Sequence, residues 1–286
     1  MFIELLLDGV TFGLMLSLLG VGITLIFGLG EILNLAHGEF AVICAILASI
    51  FIDMGFDTVP SIVLSLVIVG LIGLAFERLL LFPVYRAKGE VRILMGIFMT
   101  LGLSLAIHSY LVNTLPKAQF SVRLPFRSII IGGLIIRPSS LLSAAISVSV
   151  LIVLAFFLKK TYVGKAVRTV AQNEVGSQLC GVNPANLRTL IFAVGAVMAG
   201  FAGILYGLIA TVTVAVGFDL TTFALIVAIV SGVRSVYGAI ISGIILGIVH
   251  SVSSFFFGAY ISLVIFLVAV ILLILARPEG ILGEKS

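Results

Sequence analysis

The stretch GLGEILNLAHGEF, residues 28–40, sets polar and ionisable side chains between two long apolar runs. The polar members are Glu31, Asn34, His37 and Glu39. Apolar runs of this kind normally lie in lipid, where an ionisable side chain costs about 2.5–3.5 kcal/mol on insertion scales. Such residues therefore usually face a cavity or one another. The stretch predicts a functional break inside a membrane-embedded bundle.

The composition indicates whether the chain is surrounded by water or by lipid. Hydrophobic residues make up 62% of the 286 residues and charged residues 10%, whereas soluble domains are roughly 45–50% apolar. Cys44 lies in an apolar run and Cys180 in a polar loop, so the sequence does not support a disulfide framework. We predict an all-α polytopic membrane protein with one transmembrane domain over residues 1–286 and no large soluble domain.

Apolar runs long enough to span a bilayer, at about 20 residues each, recur along the chain. They lie at 10–29, 59–76, 93–112, 140–158, 190–214, 236–256 and 259–276. Two shorter runs, 40–52 and 220–233, fit half-spans or re-entrant elements better, unless the first extends backwards through the polar stretch. This pattern predicts about eight transmembrane helices plus short or re-entrant segments.

Each short run follows a long run and a break that contains glycine, at Gly30–Gly38 and at Gly217–Asp219. Short or broken segments at corresponding places in two halves are a sequence pointer to a transport site. Asp219 opens the second segment, where its side chain could cap the free N–H groups of a helix. Alternatively, the Asp219 side chain lines the transport pathway itself.

The distribution of Lys and Arg predicts the orientation. Eleven of them fall in segments 77–92 and 159–188 and in the tail from Arg277, and four fall in segment 114–139. Cytoplasmic loops carry the excess of positive charge, so we place the three basic segments in the cytoplasm. The first residues carry Glu4 and Asp8 and lack a cationic n-region, so we expect the N-terminus to be retained.

The segment assigned to the outside contains FRSIIIGGLIIRPSS, residues 126–140. Isoleucines on both sides of Gly132–Gly133 are typical of a β-hairpin with a two-residue turn, where glycine supplies a positive φ. We predict a small external hairpin within 120–138. The alternative is a loop that dips into the lipid headgroups.

The loop 159–188 is the longest hydrophilic stretch. Its apolar residues recur at three- and four-residue spacing, which predicts a short amphipathic helix; they are Val167, Val170, Ala171, Val175 and Leu179. Gly181 can end this helix in the left-handed conformation, and Pro184 cannot continue it. The helix either docks a soluble partner or lies on the membrane surface.

Downstream of this loop, Gly195, Ala199 and Gly203 form a ridge of small residues. A ridge with this spacing is usually a helix-packing surface. We therefore expect it to pack against another helix.

Several motifs together carry a resemblance to a known family. They are NLAHGEF at 34–40, AQNEVGSQLCGVNPANLR at 171–188, GAVMAGFAGILYG at 195–207 and ARPEGILG at 276–283. In this order they resemble the permease subunits of branched-chain amino acid ABC importers, specifically the LivH-type inner-membrane permeases. The resemblance extends along nearly the whole chain.

The resemblance implies a permease in the cell membrane that is driven by other subunits. Its expected partners are a second permease subunit, two cytoplasmic ATPase subunits and an external solute-binding protein. The chain itself has no G-x-x-x-x-G-K-[ST] motif, so it is not expected to be an enzyme. By the same resemblance, the loop 159–188 is the ATPase-coupling segment, with candidate contacts at Arg168, Glu174, Val175, Leu179 and Gly181.

The polar stretch is then interpreted as part of the substrate pathway. On a continuous helix Asn34, His37 and Gly38 would share one face, with Glu31 one turn earlier. We predict a pathway or inner gate lined by Asn34, His37, Gly38, Glu39 and Asp219. The alternative is that Asn34 and His37 hydrogen-bond across helices and hold the break in place.

Other functions fit the sequence less well. A proton-coupled secondary amino-acid carrier could use His37 and Glu39 as a relay, but it would not need the helix in 159–188. An intramembrane enzyme would need a nucleophile and a base at recognisable spacing, which the sequence lacks. Three dispersed histidines make a metal site improbable, and no cofactor is expected. The substrate stays open among branched-chain amino acids, other amino acids, amides and urea.

Overall fold

A computed structural model describes residues 2–115, 119–121, 129–131, 134–136, 138–277 and 279–282. The described chain is a bundle of α-helices. They are α1 (Phe2–Gly30), α2 (His37–Asp53), α3 (Thr58–Phe76), α4 (Glu90–Thr114), α5 (Pro138–Lys160), α6 (Tyr162–Gln172), α7 (Glu174–Leu179), α8 (Pro184–Ile209), α9 (Val216–Ser231) and α10 (Val236–Ala276). A π-helical turn (Glu77–Leu81) and a 3-10 turn (Val84–Arg86) follow α3.

Six of the described helices are long and apolar enough to cross a membrane, where the sequence predicted about eight. One source of the difference is α10. Its 41 residues would reach about 60 Å at 1.5 Å per residue, and Gly258 interrupts it with φ 79° and ψ 171°. The two predicted runs 236–256 and 259–276 therefore lie on either side of this kink. The short runs 40–52 and 220–233 correspond to α2 and α9, of 17 and 16 residues.

The core of the bundle is built around α1. Within its most apolar window 83% of the residues are buried, against 17% in α4 and in α10. The first helix packs against α5, α8, α9 and α10. The outer helices instead expose aliphatic and aromatic side chains, as a lipid-facing surface does.

The predicted ridge of small residues on α8 is confirmed as a packing surface. A Cβ on Gly195 would lie 2.7 Å from Ile26 of α1, and one on Gly203 would lie 2.0 Å from the carbonyl oxygen of Ala41 in α2. Ala199, between them, is fully buried. These helices approach so closely because no side chains separate their backbones.

Two short strands lie in the segment that was predicted to form a hairpin. Strand β1 (Ile129–Ile131) pairs antiparallel with β2 (Leu134–Ile136), with Ile129 opposite Ile136. The predicted turn, Gly132–Gly133, lies outside the described residues. So do the basic residues assigned to the outer side, which are Lys117, Arg123, Arg127 and Arg137. The placement of this segment outside the membrane stays a prediction.

Long-range contacts are consistent with the predicted sides of the loops. The Arg78 side chain donates a 2.9 Å hydrogen bond to Asn186, and so joins segments 77–92 and 159–188. At another place Phe120 and Val212 form a two-hydrogen-bond bridge that ties the segment before the strands to the connection between α8 and α9. The first contact therefore joins two segments assigned to the same side, and the orientation itself stays a prediction.

Candidate functional site

The polar stretch between α1 and α2 is not helical. Residues 31–34 have no regular secondary structure, residues 35–36 form a turn, and α2 begins only at His37. Glu31 has φ 53°, in the left-handed region that non-glycine residues seldom adopt. The predicted helical face that joined Glu31, Asn34 and His37 is therefore wrong.

Side chains replace the helical hydrogen bonds in this break. The Asn34 side-chain oxygen accepts from the Ala36 N–H at 3.1 Å. The Leu35 N–H donates to the Thr100 hydroxyl of α4 at 3.1 Å. The single proton of that hydroxyl is shared between the Gly96 carbonyl of its own helix, at 2.8 Å, and the Leu33 carbonyl, at 3.0 Å. The break is therefore held in a defined shape from within the segment and from α4.

His37 is fully buried at the junction of α1, α2 and α8. A Cβ on Gly22 of α1 would lie 2.7 Å from the imidazole and 3.2 Å from the Gly195 carbonyl of α8. Among the described residues, the side-chain nitrogen of Asn34 has no hydrogen-bond partner. Neither ring nitrogen of His37 makes a hydrogen bond of normal geometry, although the Leu19 backbone of α1 lies close to the imidazole. The interior of the bundle thus holds polar groups that no part of the described fold satisfies.

The first turns of the two short helices cross at glycine. A Cβ on Gly38 would lie 2.0 Å from the Gly217 carbonyl oxygen of α9, so only glycine fits. The Gly38 N–H donates to the Thr221 hydroxyl at 2.8 Å, and this hydroxyl donates to the Gly217 carbonyl at 3.0 Å. The two segments that the sequence analysis singled out are thus in direct contact.

Glu39 lies beside this crossing and is fully buried. A Cβ on Gly217 would lie 2.7 Å from its carboxyl group. Ser104 of α4 donates to Glu39 Oε1 at 3.4 Å, and His108 Nδ1 lies 4.0 Å from the same oxygen. The ring of His108 packs on Phe218, with centroids 5.0 Å apart. Three helices therefore meet around one carboxylate.

Asp219 does not join this buried cluster. It is exposed, and α9 begins three residues earlier with Ala215 at the N-cap, so the predicted capping role is wrong. Its carboxylate still lies in the first turn of α9, where the positive end of the helix dipole favours negative charge.

The predicted amphipathic helix in loop 159–188 is two helices. Asn173 is extended and accepts from the Gly176 N–H at 2.8 Å, so α6 ends there and α7 begins. This break divides the predicted apolar face. Val167 and Val170 are buried within this chain, whereas Val175 and Leu179 are 70% and 86% exposed. Gly181 follows α7 with φ 80°, as predicted for the end of the helix.

Arg188 joins this loop to the end of α1. It is buried, donates to the Leu29 carbonyl at 3.2 Å and makes a direct ion pair with Glu174. Its guanidinium lies 4.7 Å from the centroid of the Tyr85 ring. Burial is the main cause that raises the pKa of Tyr85, so the ring under Arg188 stays a neutral phenol. A cavity of about 420 Å³ opens beside this pair, lined by Glu174, Gln178, Gly181, Asn183 and Arg188, among others.

The other candidate coupling residue, Arg168, is exposed on α6.

A second group of ion pairs lies at the start of the break between α1 and α2. Glu31 pairs with Arg234 at 2.8 Å and with Arg92 at 3.6 Å. The break between α1 and α2 is thus anchored at its start by ion pairs from α4 and from the α9–α10 connection.

Sequence reasoning did not identify Thr100, Ser104, His108, Thr221 or Arg188 as site residues. Serine and threonine are common in apolar helices, where their hydroxyls bond to their own backbone, so they give no signal in a sequence. Arg188 could have been noticed as a basic residue next to an apolar run, because buried cations need partners.

Comparisons with known proteins agree with this architecture. Residues 5–276 match the family described as branched-chain amino acid transport system, permease component. The chain is 29% identical to the high-affinity branched-chain amino acid transport system permease protein LivH of Escherichia coli K12, over 100% of this chain and 96% of the relative. It is 27% identical to the corresponding protein BraD of Pseudomonas aeruginosa, over 100% and 97%.

A second kind of permease also matches. The high-affinity branched-chain amino acid transport system permease protein LivM of Escherichia coli K12 is 25% identical, over 96% of this chain and 69% of that protein. No solved structure matches the chain. Because the family match extends over almost all of this helical bundle, the chain belongs to the branched-chain amino acid transport permease family and is a multi-pass inner-membrane protein.

Proposed function

We propose that this chain is a translocation subunit of an ATP-driven importer and that it carries branched-chain amino acids across the membrane. The family match over residues 5–276 carries this proposal. The relatives LivH and BraD are named as permease proteins of high-affinity branched-chain amino acid transport systems. The buried polar crossing of α2 and α9 gives the proposal a location in the fold.

The proposed pathway runs past Asn34, His37, Gly38 and Glu39. Buried polar groups without partners are rare because each costs free energy. The Asn34 side-chain nitrogen has no partner among the described residues and His37 makes no hydrogen bond of normal geometry, which supports a role in passage over a role in holding helices together by hydrogen bonds. Asp219 is proposed to lie at the mouth of this pathway, since an exposed carboxylate is costly in lipid and needs water or a protein partner.

The proposed partners follow from the family. LivH and LivM are two permeases of branched-chain amino acid systems, and this chain resembles both, so we propose a second permease as its neighbour. Two ATPase subunits and an external solute-binding protein complete the proposed assembly. The chain carries no phosphate-binding loop of its own, so ATP hydrolysis belongs to other subunits.

We place the ATPase contact at α7, with Arg168 on the neighbouring helix. Val175 and Leu179 project from α7 with most of their surface exposed, as residues that enter a partner's groove do. Arg188 and Glu174 tie this helix to the end of α1. A push on α7 would therefore reach the break that precedes α2.

Uptake by proteoliposomes tests the proposal against the proton-coupled carrier. The vesicles contain this chain with its partner subunits and the solute-binding protein, and leucine uptake is measured. We expect uptake that requires ATP and that continues when an ionophore removes the proton gradient. Uptake that needs the gradient and not ATP would instead support the carrier.

A further inference from the structure

The carboxylate of Glu39 has a free oxygen in the interior of the fold. Glu39 has no solvent exposure, and its Oε2 has no hydrogen-bond partner among the described residues. A basic group lies beside it: His108 Nδ1 is 4.0 Å from Oε1 and is likewise buried without a hydrogen bond among the described residues. A buried charge normally needs a partner. This pair therefore presents one site for a cation and one for an anion, side by side.

An apolar groove begins one helical turn away. It has a volume of about 660 Å³ and lies between α2, α3 and α4. Ile43 follows Glu39 by four residues on α2, and Leu111 follows His108 by three on α4, so each shares a helix face with the polar pair. Apolar walls with a few convergent polar groups are typical of small-molecule sites.

Few side chains of α4 are fully buried over this region, although Met99, Leu103 and Ile107 also pack, partly buried, against the core. The buried residues of α4 are only Gly96, Thr100, Ser104 and Leu111. A small displacement of α4 would therefore open the pair toward the groove without breaking the core around α1.

We propose that the α2–α4 interface is a binding site for a zwitterionic amino acid with an aliphatic side chain. Its α-ammonium group lies against Glu39, its carboxylate against His108, and its side chain in the groove. Ser104 positions the carboxylate of Glu39. The inference rests on the proposed function, because it names how the permease itself recognises a branched-chain amino acid.

Binding of radiolabelled leucine to the purified complex tests this site. The complex contains this chain and its partner subunits in nanodiscs, without the solute-binding protein. Glu39→Gln should weaken leucine binding about tenfold or more, because a charge-assisted contact to the ammonium group is lost. Asp57→Asn removes an exposed carboxylate outside the groove and should leave binding unchanged. Equal leucine affinity in the Glu39 variant and the unmodified complex overturns the proposal.

Two leucine analogues test the ammonium end and the carboxylate end of the ligand separately. The unmodified complex should prefer leucine over its 2-hydroxy analogue, which lacks the ammonium group, and Glu39→Gln should remove this preference. His108→Gln should remove the preference for leucine over leucinamide, which lacks the carboxylate. If the Glu39 variant does not assemble, the His108 variant decides, and an unchanged preference for leucine over leucinamide overturns the site.

A bulky substitution in the groove tests whether the ligand's side chain occupies it. Ala106 lines it and is exposed, so Ala106→Phe should fill the groove and weaken binding of leucine more than binding of alanine. Ala145→Phe, at an exposed alanine of α5, is the matched control. Equal losses for both amino acids would mean that another molecule, such as a lipid chain, fills the groove. If ATP-driven uptake proceeds but leucine does not bind without the solute-binding protein, this inference fails while the proposed function stands.

Discussion

The Gly38 N–H donates a 2.8 Å hydrogen bond to the Thr221 hydroxyl, and this bond joins the first turn of α2 to the second turn of α9. The two residues are 183 positions apart in the chain. A buried N–H without this acceptor would cost about 1–3 kcal/mol. The contact therefore fixes the crossing beside which Glu39 lies, and it connects two segments that share the same short, interrupted pattern in the sequence.

Gly38→Ala should destabilise the protein. The added Cβ would lie 2.0 Å from the Gly217 carbonyl and 2.6 Å from the Thr221 nitrogen, and backbone atoms cannot move aside cheaply. Overpacking of this kind costs about 1–3 kcal/mol. We expect a lower melting temperature of the purified complex. The control is Gly28→Ala, where a Cβ meets no atom within 4 Å and alanine favours the helix. Equal melting temperatures for the two variants would show that the crossing is not tight.

His37→Leu should reduce transport without loss of assembly. The imidazole makes no hydrogen bond of normal geometry to the described residues, and its nearby backbone group is that of Leu19 in α1, so its removal costs at most one weak polar contact between helices. Leucine has a similar size and satisfies an apolar interior better. We expect ATP-driven uptake to fall at least about tenfold if the polar ring serves passage. Size-exclusion chromatography checks assembly. Loss of the complex would support the helix-holding role instead.

Val175→Asp should uncouple the ATPase. The side chain is 70% exposed on α7, where a partner groove would cover it. A carboxylate buried there without a partner costs several kcal/mol, on the order of 3–5. Co-purification of the ATPase subunits and substrate-stimulated ATP hydrolysis should both fall. Gln178→Asp, at another exposed position of the same helix, should change neither. Normal behaviour of the Val175 variant would remove α7 from the contact.

Arg188→Ala should destabilise the junction between α7, α8 and α1. The change leaves the Leu29 carbonyl and the Glu174 carboxylate without this donor. Hydrogen bonds to charged groups contribute about 1.5–3 kcal/mol, so we expect a measurable fall in melting temperature. Arg168→Ala, at an exposed arginine of α6, should leave the melting temperature unchanged. A stable Arg188 variant would contradict the bracing role.

Native Cys180 reports the orientation of the coupling loop. It is exposed, whereas Cys44 is buried, and Ser177 is fully buried and so unsuited to labelling. A membrane-impermeant maleimide should label Cys180 in inside-out vesicles and spare it in right-side-out vesicles. In a Cys180→Ser background, exposed Gln119→Cys should give the opposite result. The reverse pattern would overturn the orientation based on Lys and Arg.

Periodicity and length predicted the helices well where a run was long and uniformly apolar. The kink at Gly258 falls between two predicted runs, and Gly181 follows α7 as expected. The errors lie in the polar segments. A helix over Glu31–Gly38 was wrong because side chains of Asn34 and Thr100 take over the backbone hydrogen bonds, and the loop helix was divided because Asn173 caps a new one. Such local competition cannot be inferred from spacing alone.

The sequence by itself determined that this chain lies in a membrane, which long runs are apolar enough to cross it, and where the interrupted segments lie. It could do so because hydrophobic length and charge distribution are local properties. Only the tertiary structure decided that Gly38 meets Gly217, that Glu39 lies beside His108, and that Arg188 links Glu174 to Leu29. These contacts join residues far apart in the chain. They depend on which helix faces pack together, and a uniformly apolar helix has no polar face that would indicate its neighbours in advance.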